Sequence, residues 1–203
     1  MLYILIKFLL GWAIMLLFRA RVYNRAGLRV SGKAIVVSNH IALFDPVMLA
    51  IANPRLMHFM AKKELFESWI GRLFFKSLLA FPVNRHTADL RSLKQAMSVL
   101  EKGRVFGIFP EGSRSRTGEL GQLEKGAAFL ALRSGAPVIP AYIAPDSYKR
   151  MRFRAIIGEE ISREGLSSGR SEAIDEFTQR IAASFESLKS ELEDIMTHAD
   201  TGR

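Results

Sequence analysis

The feature that most constrains this chain is a short apolar run that passes directly into polar residues and then into a helix start. Ala34 to Val37 is apolar and rich in β-branched residues, which predicts a buried strand. Asp45-Pro46 predicts a helix start, with the acid as N-cap and proline at the first helical position. His40 therefore falls in a strand-to-helix turn, at the end of a strand where ligands bind in open α/β sheets.

Strand and helix patterns then alternate along the chain. Apolar runs predict further strands at Leu56 to Met60, Ala80 to Val83, Arg104 to Phe109 and Val138 to Ile143. Apolar spacings of three and four residues predict helices over residues 46–52, 62–79, 88–102, 124–134 and 171–196, the last a packing helix with an acidic outer face. Lys149 to Gly158 alternates basic and apolar residues and predicts a half-exposed strand. This order predicts a single α/β domain with a mixed, partly parallel central sheet flanked by helices.

The N-terminal stretch predicts contact with a membrane. Residues 1–18 are almost wholly apolar, broken by Lys7 and Gly11, and the basic residues that follow precede the first acid, Asp45. A spanning helix needs about 20 apolar residues, and basic flanks stay on the cytoplasmic side. We expect a membrane anchor helix over residues 1–20 and an α/β domain over residues 21–203, at the cytoplasmic face of the cell membrane. Spanning and monotopic insertion both remain open, and a buried core helix is the alternative.

The composition excludes several kinds of chemistry. The chain has no cysteine, so disulfides, thiolate metal sites and a cysteinyl acyl intermediate are excluded. Its four histidines lack metal-binding spacing, and it has no Walker loop, dinucleotide fingerprint or Gly-x-Ser-x-Gly elbow, so we expect no metal and no bound cofactor. The net charge of +9 is uneven, because residues 1–158 hold 24 Lys/Arg against 9 Asp/Glu and residues 159–203 hold 5 against 11. The basic part carries the motifs and implies an anionic partner.

Polar clusters follow three of the predicted strands: Asn39-His40, Asn84-Arg85 and Glu111 to Arg116. If those strands are parallel, the clusters open on one edge of the sheet, which favours a single active site. His40 is the candidate general base, with Asp45 as the acceptor that would hold its other ring nitrogen. A plain N-cap for Asp45 and a satisfied turn histidine for His40 are the alternatives.

Three arginines are candidates for binding an anionic headgroup, because a guanidinium forks onto phosphate oxygens: Arg85, Arg114 and Arg116. Gly112 and Ser113 would let backbone N–H groups contribute, and Lys125 would add charge. Glu111 is expected to orient an arginine or to cap the turn rather than to act as an acid. For these residues the alternative is a solvated basic loop.

Together these residues resemble four ordered blocks of the glycerolipid acyltransferases, and within them the lysophosphatidate acyltransferases. The blocks are Asn39-His40 with Asp45-Pro46, Phe81 to Arg85, Phe109 to Ser115, and Val138 to Pro140. They span residues 38–143, about half of the chain, and the first and third blocks in this order are the specific ones. Ile41-Ala42 and Ser113 depart from residues that are common in the family, without removing a group that the mechanism needs.

The resemblance implies a His-Asp dyad and a phosphate site. Its catalytic residues would be His40 and Asp45, and its phosphate-binding residues would be Arg85, Glu111, Gly112, Ser113 and Arg114. Acyl-chain or donor contacts are expected near Pro140, and the further accessory candidates are Asn39, Lys62, Arg116 and Lys125.

The resemblance also implies a reaction. Such an enzyme transfers a fatty acyl group from acyl-CoA or acyl-carrier protein to the sn-2 hydroxyl of lysophosphatidate, and the product is phosphatidate for phospholipid biosynthesis. The expected partners are therefore membrane lipids and an acyl donor, with no nucleic acid and no metal. Glycerol-3-phosphate or another lysolipid is the alternative acceptor. A non-catalytic membrane lipid-binding protein is the alternative of a different class.

Overall fold

One mixed sheet forms the centre of the protein in a computed structural model that describes residues 7, 9, 11–84, 90–115 and 119–201. Within these residues the strands are β1 (Arg21–Tyr23), β2 (Ala34–Ser38), β3 (Met57–Lys62), β4 (Ala80–Val83), β5 (Val105–Ile108), β6 (Val138–Ile143) and β7 (Arg154–Ile157). They lie in the order β1-β7-β6-β2-β5-β3-β4. Strands β2 to β6 are mutually parallel, whereas β7 pairs antiparallel with β6 and parallel with β1. The predicted α/β domain with a mixed, partly parallel sheet is confirmed.

Helices cover both faces of this sheet. They are α1 (Gly11–Leu17), α2 (Asp45–Ala52), α3 (Trp69–Ser77), α4 (Leu90–Glu101), α5 (Gly126–Ser134) and α6 (Arg170–Thr201), with short 3-10 turns at Arg25–Leu28, Lys63–Phe66 and Lys149–Met151. Side chains of β2 alternate between two apolar clusters, because successive residues of a strand point to opposite faces. Ile35 joins the cluster with α4, α5 and α6, and Val36 joins the cluster with α1 and α2.

Two predicted elements differ from the structure. The helix predicted over residues 62–79 is a 3-10 turn followed by α3, because Ser68 caps α3 by accepting a hydrogen bond from the Gly71 N–H at 3.0 Å. The half-exposed strand predicted from Lys149 to Gly158 is wrong over its first half. Tyr148 and Arg150 have left-handed backbones, with φ of 74° and 53°, so the chain turns there and becomes extended again only at Arg152, shortly before β7.

The N-terminal stretch packs against the domain where it is described. The Lys7 side chain is buried, and its ammonium donates a hydrogen bond of 2.6 Å to the Asn53 carbonyl at the end of α2. Burial and the nearby Arg25 charge lower the pKa of Lys7 to about 8. Among the described helices, none combines the length and the apolar character that crossing a bilayer requires. Residues 1–6, 8 and 10 of the predicted anchor lie outside the described part of the chain, so the anchor stays a prediction.

Candidate active site

His40 and Asp45 meet in the turn between β2 and α2. The His40 Nδ1 lies 2.8 Å from the Asp45 Oδ2, and the Asp45 side chain is fully buried. The same carboxylate oxygen accepts the backbone N–H groups of Ile41 at 2.7 Å and Ala42 at 2.8 Å. These bonds fold the loop back on itself, which is how two residues five positions apart in the sequence come into contact.

The predicted N-cap role of Asp45 is wrong in detail. Phe44 occupies the N-cap position of α2, and Asp45 is the first helical residue. Its carboxylate points back to the loop instead of forward to the N–H groups of the first helical turn, because Ile41 and Ala42 present their N–H groups there. The acid therefore organises the loop and the histidine rather than the start of the helix.

The His40 ring is held in one orientation by two neighbours. Asp45 binds its Nδ1, and the Phe109 ring stacks on it with centroids 4.2 Å apart. Phe59 stacks behind Phe109 at 6.2 Å. Because Asp45 accepts the Nδ1 proton, the neutral ring has its lone pair on Nε2, and that atom has no hydrogen-bond partner among the described residues. In this tautomer the Nε2 offers the lone pair that a general base requires.

Tyr148 is a further part of this site that the sequence did not reveal. Its hydroxyl donates a 2.6 Å hydrogen bond to the Asp45 Oδ1, the carboxylate oxygen that does not face His40. Burial, followed by the Asp45 charge, raises the pKa of Tyr148 well above its usual range, so the hydroxyl stays a donor at physiological pH. No spacing or motif marks this tyrosine, because its role depends on the left-handed turn after β6.

Glu111 joins the loop after β5 to the His40 backbone. Its Oε1 accepts the His40 N–H at 2.9 Å, and its Oε2 accepts the Gly121 N–H at 3.3 Å. The Ser115 N–H in turn donates to the His40 carbonyl at 2.8 Å. Both oxygens of Glu111 are thus used on backbone groups, which supports the predicted turn-capping role; direct phosphate binding by this carboxylate stays an untested prediction.

The residues between Glu111 and Ser115 lie next to His40, since both ends of this loop contact its backbone. Ser113 and Arg114 are exposed there, and Arg114 has no ion-pair partner among the residues that the structure describes. Gly112 has φ +66°, and a Cβ at this position would lie 2.4 Å from the Glu124 Oε1. Its N–H donates to the Phe109 carbonyl at 3.2 Å, so that N–H closes the turn instead of facing a ligand.

The other predicted residues are spread more widely. Arg85 and Arg116 lie outside the described residues. Strand β4, which precedes Arg85, is three strands from β2, or about 14 Å at the usual strand spacing. Lys62 is the last residue of β3, at the same sheet edge as His40. Its side chain is half exposed, and its Nζ lies 3.6 Å from the Glu64 Oε1.

Three accessory candidates have structural partners. Asn39 extends the pairing of β2 and β6, because its side-chain amide donates to the Ile143 carbonyl at 2.9 Å and accepts its N–H at 2.7 Å. Pro140 is buried within β6, opposite Val37 of β2. Lys125 forms an ion pair with Asp175 of α6. Their predicted functional roles remain predictions, and for Asn39 the structural role is sufficient explanation.

A separate groove of about 670 Å³ lies between α4, α5 and α6. Its polar lining includes Glu101, Arg133, Arg163 and Arg170. It contains none of the predicted site residues. Its lining combines the segment before α6 and the start of α6 with residues towards the carboxyl ends of α4 and α5, which lie at the sheet edge opposite to His40. The chemistry of the His-Asp pair therefore belongs to the loop edge and not to this groove.

Comparison with known proteins gives consistent results. A family model described as Acyltransferase matches residues 19–144. The chain is 33% identical to the 1-acyl-sn-glycerol-3-phosphate acyltransferase of Bacillus subtilis over 89% of both proteins. It is 32% identical to the enzyme of that name from Streptococcus pneumoniae, over 77% of this chain and 61% of that protein.

The fold also has a solved counterpart. The crystal structure of the 1-acyl-sn-glycerophosphate acyltransferase from Thermotoga maritima aligns with a TM-score of 0.67 at 22% identity, covering 92% of this chain and 79% of that one. At this level of identity the match concerns the fold, which is the same layered α/β arrangement.

Proposed function

Because the chain belongs to the acyltransferase family, we propose that it transfers a fatty acyl group from acyl-CoA or acyl-carrier protein to the sn-2 hydroxyl of lysophosphatidate, and that the product is phosphatidate. The observation that carries this proposal is the buried Asp45 carboxylate bound to the His40 Nδ1, which leaves Nε2 free beside an exposed basic loop. Relatives that cover most of the chain bear the name of this activity.

In the proposed reaction, the His40 Nε2 takes the proton of the sn-2 hydroxyl as its oxygen attacks the thioester carbonyl carbon. The new C–O bond forms, the C–S bond breaks, and the leaving thiolate receives the proton from the imidazolium. Asp45 stabilises that imidazolium through Nδ1 and keeps the ring in place. Direct transfer in a ternary complex is the simplest route, since the chain has no cysteine that could form an acyl thioester.

Arg114 is the described residue best placed to bind the acceptor phosphate. It is exposed on the loop whose two ends contact the His40 backbone, and a guanidinium binds phosphate through paired N–H groups. Ser113, Arg85 and Arg116 are the further residues proposed to bind the phosphate. We place the reaction at the cytoplasmic face of the cell membrane, where both the acceptor and the product are embedded.

The test is an activity grid on the purified chain in detergent or vesicles. Donors are acyl-CoA and acyl-carrier protein, and acceptors are lysophosphatidate, glycerol-3-phosphate and an uncharged lysolipid. We expect phosphatidate from lysophosphatidate, with turnover of His40→Ala reduced about 10²- to 10⁴-fold while circular dichroism shows an intact fold. Turnover by His40→Ala that equals the wild type would overturn the mechanism. Vesicle binding without any diacyl product would instead indicate a lipid-binding protein.

A second test concerns Arg114. Replacing it by alanine is expected to raise KM for lysophosphatidate about tenfold or more, with a smaller effect on kcat, because a charge-assisted hydrogen bond is worth about 1.5–3 kcal/mol. Arg133→Ala is the matched control, since Arg133 is also exposed but lines the groove at the opposite edge. Equal acceptor saturation in the Arg114 variant and the control would exclude Arg114 from the phosphate site.

A further inference from the structure

Helix α3 presents an apolar surface to solvent. Trp69, Ile70, Leu73 and Phe74, here called the α3 ridge, have exposed fractions of 73%, 62%, 66% and 43%. Most exposed hydrophobic residues of a soluble domain are scattered singly, whereas contiguous patches mark a contact surface. Four large apolar side chains within six residues of one helix form such a patch.

The ridge faces outward because the other side of α3 is fixed to the domain. The Phe75 ring packs on Phe66 with centroids 5.5 Å apart, and the Arg72 Nε donates to the Phe66 carbonyl at 3.2 Å. Gly71 lies so close to the preceding turn that a Cβ would be 2.3 Å from the Leu65 carbonyl oxygen. Rotation of α3 about its axis would break these contacts, so the exposed ridge is the outcome of specific packing.

Cations border the ridge along one side. At about 100° per residue, the four ridge residues cover an arc of about 140°, and Arg72 and Lys76 follow at its edge beside Trp69. Lys62 at the end of β3 and Lys63 in the 3-10 turn that follows bring the cations of this segment to four, against two acids. An apolar helix face with a basic border is the pattern of helices that lie in the interface of an anionic bilayer. Lysine, in contrast, is depleted at protein–protein interfaces.

The position of α3 relates the ridge to the active site. The 3-10 turn before α3 follows directly from the carboxyl end of β3, the same sheet edge from which the His40 turn and the Glu111 loop emerge. We propose that the α3 ridge docks on anionic membrane surfaces and holds this edge against the lipid from which the acceptor is drawn. The docking stands on the surface itself, and only its benefit to catalysis rests on the proposed function.

Tryptophan fluorescence tests the docking directly, since the chain has two tryptophans, Trp12 and Trp69. In Trp12→Phe, Trp69 is the only reporter. We expect its emission to shift to the blue with vesicles of phosphatidylcholine and phosphatidylglycerol, and to be quenched by brominated acyl chains. The shift is expected to weaken with phosphatidylcholine alone. Trp69 emission that does not respond to anionic vesicles would overturn the proposal, whatever Trp12 reports in Trp69→Phe.

A pair of matched variants tests the consequence for turnover. Trp69→Ser/Ile70→Ser/Leu73→Ser removes the ridge, and Trp69→Phe/Ile70→Leu/Leu73→Ile keeps it apolar. For the serine variant, we expect vesicle binding and turnover of vesicle-borne lysophosphatidate to fall at least about tenfold. Its turnover of a monomeric short-chain lysophosphatidate should be unchanged. The conservative variant should behave as the wild type. An equal loss on both acceptors would contradict docking.

Two further readouts separate this proposal from its alternatives. His40→Ala is expected to bind vesicles as the wild type does, so failure of the acyl-transfer proposal leaves the docking result interpretable. Measuring the molecular mass of the protein in the absence of vesicles tests whether the ridge instead binds a second copy of the chain. A dimer that the serine variant converts to monomer, with vesicle binding retained, would overturn membrane docking in favour of self-association.

Discussion

Asp45 is the residue on which the site is assembled. Its Oδ2 accepts hydrogen bonds from the His40 ring and from two loop N–H groups, and its Oδ1 accepts one from the Tyr148 hydroxyl. A fully buried carboxylate is tolerated because these donors replace water. The same bonds that satisfy the charge also fix the tautomer and the position of His40, so the structural and the chemical roles of Asp45 cannot be separated.

Replacing Tyr148 by phenylalanine tests the outer end of this network. Tyr148→Phe keeps the ring contacts with Phe18 and Phe153 but removes the donor to Asp45. We expect kcat to fall about tenfold with an unchanged acceptor KM, since one lost hydrogen bond is worth about 1–1.5 kcal/mol.

Tyr142→Phe is the matched control for this experiment. The Tyr142 hydroxyl is buried without a hydrogen-bond partner in the described part of the protein, so its removal should leave turnover unchanged. A Tyr148→Phe enzyme as active as Tyr142→Phe would show that the hydroxyl does not help Asp45.

Replacing Glu111 by glutamine distinguishes its two predicted roles, which are capping the turn and binding the phosphate. Glu111→Gln retains an acceptor for the His40 N–H but removes the negative charge and one of the two acceptors. If Glu111 positions the loop, we expect a lower kcat, about threefold to thirtyfold, and an acceptor KM that is unchanged or lower, because a negative charge near the phosphate site has been removed. An acceptor KM that rises with kcat unchanged would instead assign Glu111 to headgroup binding.

At the scale of elements, β5 supports the His40 ring through a stack of aromatic side chains. Gly107 of β5 leaves room for the Phe59 ring, which stacks on Phe109, which in turn stacks on His40. A Cβ at residue 107 would lie 2.3 Å from the Phe59 ring, within the closely packed interior.

Gly107→Ala is therefore expected to displace the aromatic stack. We expect a loss of about 1–3 kcal/mol in unfolding free energy, together with a turnover lower than the stability loss alone explains. Gly126→Ala is the control, since no atom lies within 4 Å of a Cβ there. Urea unfolding and initial rates on the same preparations check this prediction. A Gly107→Ala enzyme with the stability and turnover of the control would show that a methyl group at residue 107 does not displace the aromatic stack.

The predicted elements match the structure where the hydrophobic periodicity and the residues that end an element indicate the same limits. Strands β4 and β6 have the predicted limits, and Gly135 ends α5 in a left-handed conformation as a C-terminal glycine should. The predictions that failed depend on local side-chain competition. The Ser68 cap splits the helix predicted over residues 62–79, and left-handed residues in the turn after β6 end the alternation read from Lys149 onward.

For the site, the sequence predicted the contact between two residues that are close in the chain, and it predicted that polar loops cluster at one edge of the sheet. The His40–Asp45 pair and the loop after β5 are together because β2 and β5 are parallel neighbours. It did not predict that Glu111 binds the His40 backbone, nor that Tyr148 binds Asp45. Both contacts join residues more than 70 positions apart in the sequence. Glutamate and tyrosine are also common in ordinary loops, so neither residue type indicates such a contact.

At the scale of the molecule, the charge asymmetry of the sequence corresponds to a division of the fold. The basic part forms the sheet and the loop edge with the candidate site. The acidic C-terminal part contributes α6, whose Phe177, Ile181 and Phe185 lie in the apolar cluster that α6 shares with α4, α5 and the sheet. The proposed site and the α3 ridge therefore both belong to the basic part of the chain. An anionic membrane would attract that part and repel the acidic outer face of α6.

The stability of the whole domain is also expected to depend on pH, through the buried His58. His58 of β3 is buried, its Nε2 lies 3.4 Å from an Arg104 guanidinium nitrogen, and its Nδ1 has no partner in the described part of the protein. Burial, followed by the Arg104 charge, lowers the pKa of His58 below its ordinary value of 6.5. In acid the unfolded chain therefore binds a proton at residue 58 that the folded protein does not bind.

The unfolding free energy should accordingly fall as the pH is lowered through about 6.5, with at most about 1.4 kcal/mol lost per pH unit, and show no contribution from His58 above that range. His58→Gln is expected to remove this part of the pH dependence, whereas His198→Gln, in the exposed end of α6, should retain it. Urea unfolding at a series of pH values between about 8 and 5.5 measures the effect. Parallel curves for the two variants would mean that His58 accepts a proton as readily in the folded protein as in the unfolded chain, in spite of its burial beside Arg104.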